Sequence, residues 1–108
     1  MKAWDIYAAE VFGQHPCVLV SCQPRIDFKP EIVVLGCRTM RPGNEREART
    51  NEVVLDAADG LDLKILCRCD LLYTVEKAKL GRCRGSVTPE RQRAIAKKMI
   101  QGLALAGM

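Results

Sequence analysis

In Leu66–Val75, LCRCDLLYTV, an arginine and an aspartate stand two residues apart, with cysteines at 67 and 69. Read as a β-strand, side chains alternate between faces. Arg68 and Asp70 then share a face with Leu66, Leu72 and Thr74. Ile65, Cys67, Cys69, Leu71 and Tyr73 form the other, almost wholly apolar face. A carboxylate so placed can take a proton, and a neighbouring guanidinium can hold an anion while staying charged itself. The same pair also reads as a surface ion pair, worth about 0–1 kcal/mol.

The apolar face makes Cys67 and Cys69 core filling. Residues i and i+2 of a strand lie roughly 6.6–6.8 Å apart, at the far limit of disulfide geometry. The other cysteines, at 17, 22, 37 and 83, form no second close pair, and His15 is the only histidine. A zinc site needs about four ligands, so no metal and no cofactor is expected. With six cysteines and no secretory signal at MKAWDIYAAE, the thiols are expected reduced and the address cytoplasmic.

The 108 residues suit one domain, residues 1–108, with no apolar run near the length of a membrane span. Net charge is +4 and uneven: up to Gly36 there are three Lys/Arg and four Asp/Glu, and from Cys37 on fourteen against nine. The densest basic cluster is Lys77, Lys79, Arg82 and Arg84. Such a surface is compatible with a phosphate-rich partner and equally with plain solvation.

Strands are expected at 6–9, 17–22, 32–35, 52–55, 63–75 and 83–87. Gly13–Pro16 reads as a turn, and Pro24 and Pro30 bracket a loop. A long polar loop follows from Thr39 to Asn51, with a second turn at Asp59-Gly60 and a helical turn over 77–80. The last element is a helix, with Thr88 as N-cap, Pro89 at its first position and Glu90 in its first turn. Its apolar face is Ile95, Ala96, Met99, Leu103 and Ala106. Low aromatic content requires an aliphatic core. Short strands before one amphipathic helix predict a mostly-β small barrel with a helix packed on it.

Four segments, in order, resemble the PemK/MazF family of toxins from bacterial toxin–antitoxin pairs. Lys2–Tyr7, KAWDIY, resembles an opening strand that usually holds Gly-Asp-Ile-Tyr. His15–Ser21, HPCVLVS, resembles Arg-Pro-Val-Val-Val-x-Ser. Val33–Thr39, VVLGCRT, resembles the strand ending in Thr or Ser, and Arg68–Leu80, RCDLLYTVEKAKL, resembles Arg-Cys-Asp-x-x-Arg-Thr-x-Asp-Lys-x-x-Leu. The resemblance runs from about residue 2 to 105 and implies an SH3-like barrel with a C-terminal α-helix, usually a homodimer. It implies a metal-independent endoribonuclease that cuts single-stranded RNA at short sequences, leaving a 2′,3′-cyclic phosphate. It also implies a cognate antitoxin with an acidic, disordered tail.

The resemblance assigns Asp70 as base and Arg68 as phosphate clamp or acid, and it sets Thr39 near the scissile group, where an ordinary strand-end threonine is the other reading. His15 replaces a family arginine. It substitutes as general acid or marks a weakened enzyme. The turn before His15 is shorter than usual, and Tyr73 replaces a common arginine. Arg38 and Arg41, with the arginine-rich loop to Arg49, and Lys77 and Lys79 are the expected RNA-binding cations, though with Glu45 and Glu47 neutralising part of it the loop also reads as simply solvated. Two alternatives remain: a non-enzymatic gyrase inhibitor like the related CcdB proteins, and an inactive relative kept as a binding module.

Overall fold

The computed structural model describes residues 1–10 and 13–105; Ala106, assigned above to the helix face, lies outside them. The strands are β1 (Asp5–Glu10), β2 (Gln14–Leu19), β3 (Glu31–Thr39), β4 (Glu52–Leu55), β5 (Ile65–Glu76) and β6 (Leu80–Ser86). The helices are α1 (Gln23–Phe28) and α2 (Pro89–Gly102), and single 3-10 turns cover Ala57–Asp59 and Lys77–Lys79. The six strands form one antiparallel sheet in the order β4-β5-β3-β2-β1-β6. No helix of the described residues is long and apolar enough to cross a membrane.

The middle strands bury both faces, which is why they read as unbroken apolar runs. Val18 and Leu35 join one core with Ile6, Val53, Cys67, Cys69 and Ile95. Their neighbours Cys17, Leu19 and Val34 join a second core with Ile26 and Ile32. The first core draws on both edge regions, so the sheet curls round it. Closure occurs where the Asp59–Gly60 turn meets β6. A Cβ at Gly85 would collide with the Asp59 backbone oxygen, so only glycine permits this approach. The Asp59 side chain then accepts bonds from the Thr88 and Asp56 amides at 3.0 Å each and from Arg91, fastening α2 to the seam. Among the described residues, the buried hydrophobic ones include no aromatic, as the composition predicts.

Several expectations need correction. The segment bracketed by Pro24 and Pro30 is helix α1, not a loop. Pro24 occupies its first turn, where a missing N–H costs nothing, and Ile26 is buried beneath it. The turn at Gly13–Pro16 shrinks to Gly13 (φ 83), because β2 begins at Gln14. Pro16 is tolerated there because it pairs with Ala8 of β1, while pairing with β3 starts only at Cys17. The expected strand 17–22 ends at Leu19, and Gly81 lies within β6 rather than stopping a turn. Thr88 stands at the N-cap of α2 but makes no side-chain cap bond.

The strict alternation of β5 also fails, for a reason that shapes the site. Leu35 faces Leu72 and Cys37 faces Cys67, so two steps along β3 match five along β5. The surplus forms a bulge between Cys67 and Leu72. Cys67 and Cys69 do point into the core, both fully buried. Leu66, expected on the Arg68 face, is buried as well.

Candidate active site

His15 is exposed near the start of β2, opposite Ala9 of β1, and borders three adjoining cavities. The first, about 330 Å³, has mostly apolar walls from Pro16, Gly36, Leu71 and Tyr73, with Arg38 and Arg68 beside His15. The second, about 460 Å³, adds Thr39, Arg41, Lys79 and Arg84. The third, about 610 Å³, is shared by Arg38, Thr39, Arg41 and Arg46. The end of β3 therefore delivers Arg38 and Thr39 to the imidazole, and the loop behind it delivers Arg41 and Arg46. Among the described residues, neither Arg38 nor Arg41 enters an ion pair.

The bulge in β5 decides which residues join this group. Beyond it Leu71 and Tyr73, expected on the cysteine face, line the His15 cavity together with Arg68. Asp70 does not line that cavity but a separate one of about 210 Å³, with Arg49, Asn51, Glu52 and Arg68. Its Oδ1 accepts a 2.9 Å bond from Asn51 Nδ2, and the C-terminal turn of α2 abuts it at Gly102. Arg68 thus borders both cavities, with His15 in one and Asp70 in the other. The ion pair read from spacing alone does not form: the carboxylate near Arg68 is Glu52, 3.9 Å from its Nε.

Glu52 is the residue that sequence reasoning missed. At the start of β4 it is 3% exposed. Arg46 grips both its oxygens, at 2.7 and 2.9 Å, and the Arg49 amide donates to Oε1 at 2.9 Å. These bonds, the one from Arg46 foremost, hold its carboxyl down at about 2. One buried anion therefore fastens the arginine-rich loop against the sheet. A glutamate opening a strand beside charged residues ordinarily reads as solvated, so nothing local marked it.

Of the other expected cations, Lys79 lines the His15 cavity and, among the described residues, makes only a long 4.0 Å pair with exposed Glu76. Lys77 turns elsewhere, its Nζ donating to the Ile26 carbonyl at the end of α1. Two buried thiols are held protonated by their surroundings. Burial pushes Cys17 up to about 11, and the bond to Cys37, ahead of burial, raises Cys67 well above the ordinary thiol value. Among the described residues, no group of three or more His, Cys, Asp or Glu is placed to hold a metal ion.

No protein-family model and no curated protein matches the chain. Solved structures do match. An endoribonuclease in complex with its cognate antitoxin, from a mycobacterial species, superposes with a TM-score of 0.83 at 22% identity, over 100% of this chain and 99% of that one. The Mycobacterium tuberculosis toxin MazF-mt6 gives 0.79 at 20%, over 93% and 96%. The MazE–MazF structure from Deinococcus radiodurans gives 0.72 at 12%, over 96% and 95%. The fold is that of MazF toxins, as the resemblance in the sequence implied.

Proposed function

We propose that a chain with this fold and this groove is the toxin of a toxin–antitoxin pair and cuts single-stranded RNA. The observation that carries the reading is that Arg68 borders both the cavity of His15 and the cavity of Asp70. Attack of a ribose 2′-oxygen on the adjacent phosphorus is in-line, so base and acid must stand on opposite sides of the phosphate. Asp70 takes the 2′-OH proton. The 2′-oxygen bonds to phosphorus as the bond to the 5′-oxygen breaks, and His15 protonates that oxygen. The products are a 2′,3′-cyclic phosphate and a free 5′-hydroxyl. Arg68, with Arg38, holds the phosphate and the charge that builds on it. Thr39 donates to a phosphate oxygen, while Arg41 and Lys79 hold flanking phosphates.

The solved relatives support this reading, since one is an endoribonuclease bound to its antitoxin and another a MazE–MazF structure. By the same reading this chain acts as a homodimer without a metal and is silenced by an antitoxin whose acidic tail covers these cations. The test is cleavage of mixed-sequence single-stranded RNA by purified protein in excess EDTA, beside Asp70→Asn and His15→Gln. Cuts ending in cyclic phosphate, reduced on the order of 10²–10⁴-fold in either variant, are expected. A folded wild-type protein that leaves the RNA intact overturns the reading.

A further inference from the structure

The cavity between His15 and Tyr73 differs in kind from its neighbours. The two other cavities at His15 are richer in polar side chains: one holds Thr39, Arg41, Lys79 and Arg84 along with the Glu10 carboxylate, the other Arg38, Thr39, Arg41 and Arg46. This one is walled mainly by Pro16, Cys17, Cys37, Leu71 and Tyr73, and it also holds Arg38 and Arg68. Its shape depends on a glycine. A Cβ at Gly36 would lie 2.8 Å from Tyr73 Cε2 and 3.2 Å from Leu71 Cδ2, so these two side chains lie directly over the bare backbone of β3. Tyr73 is half-buried, with one part packed against the second core.

We propose that this cavity is a nucleobase site. An unpaired base stacks on Tyr73 against Leu71 and Pro16, while the phosphates on either side of its sugar run past Arg38 and Arg68. An aromatic ring is a stacking platform for any base, and apolar walls favour a flat heterocycle over a phosphate. Tyr73 is then a positioning residue for substrate: it trades a cation in the groove for a stacking surface, and it holds the base of the nucleotide beside the cut. The bulge in β5 is what brings it there.

This inference rests on the groove taking single-stranded nucleic acid, so its test uses binding, not cleavage. The probes are a mixed-sequence 2′-deoxy decanucleotide, which cannot be cut, and a decanucleotide of the same length made wholly of abasic units. The phosphates are identical, so the difference in affinity reports the bases alone. Wild type and Tyr73→Phe should bind the base-bearing probe roughly ten- to a hundredfold more tightly. Tyr73→Ala should lose most of that preference while holding the abasic probe as before. Gly36→Ala, checked for folding by circular dichroism, should lose it too, because the added methyl displaces the ring. Equal affinity of wild type for both probes overturns the proposal, and so does a full preference retained by Tyr73→Ala. Base preference without RNA cleavage removes the nuclease reading and leaves the base site standing. Cleavage without base preference does the reverse.

Discussion

Glu52 sits directly across the β4–β5 ladder from Arg68, yet it closes its two short side-chain bonds on Arg46. Arg68 is left with a 3.9 Å approach through Nε, which orients the guanidinium without consuming it. One buried carboxylate therefore satisfies a loop arginine at short range and meets a strand arginine only at long range. Partner choice of this kind sets which cations of a basic protein can act on a ligand.

Glu52 should govern the acid stability of the fold. Its carboxyl is held at about 2 in the folded chain, against an ordinary 4.5. A depressed carboxyl contributes stability that is fully present above the unfolded value and fades as pH falls towards the folded one. Between pH 4.5 and 2 the unfolded chain binds a proton that the folded chain refuses, so about 2–3 kcal/mol should drain away. Denaturant titrations at pH 7 and pH 2.5 should show this loss in wild type. Glu52→Gln, less stable at pH 7, should show a smaller loss on acidification.

Lys77 and Lys79 should separate cleanly, although two residues apart. Lys79→Ala should leave the melting temperature unchanged, weaken RNA binding, and lower the slope of log affinity against log salt by about 1. Lys77→Ala should leave that slope alone. It should instead loosen α1 by about 1 kcal/mol, since the Ile26 carbonyl loses a charged donor. Salt titrations paired with thermal melts read both effects.

Arg91 should behave as a fastener of the barrel seam. It bonds Asp59, whose side chain is fully buried, and Asp56 as well. These carboxylates hold its guanidinium well above the usual arginine range. Arg91→Ala strands a buried anion and should cost about 3 kcal/mol. Arg91→Lys should recover only part, because an ammonium cannot reproduce the forked contact. Urea midpoints of the three proteins settle the order.

Gly85→Ala should act at the same seam by sterics. The new methyl meets the Asp59 carbonyl oxygen, a backbone atom, and neither side can yield cheaply. A loss of about 1–3 kcal/mol is expected, with hydrogen exchange accelerating first in β6 and in the turn at Asp59–Gly60. Normal protection there would refute a tight closure.

Where single residues or short patterns carry the physics, the chain is legible from its residues. Cys67 and Cys69 alternate with Arg68, and a strand must bury one set. Pro89 and Glu90 open α2 where N–H groups are spare, and the runs at 17–20 and 32–35 are too apolar for any surface. Helix α1 escaped because six residues with one buried side chain carry no period. Tertiary structure alone decided who meets whom. Glu52 faces Arg68, Leu71 and Tyr73 come round to His15, and Lys77 is spent on α1, because strand register and one bulge in β5 put them there. Register is a property of pairs of segments, summed over hydrogen bonds and packing along whole strands, and no single stretch of chain contains it.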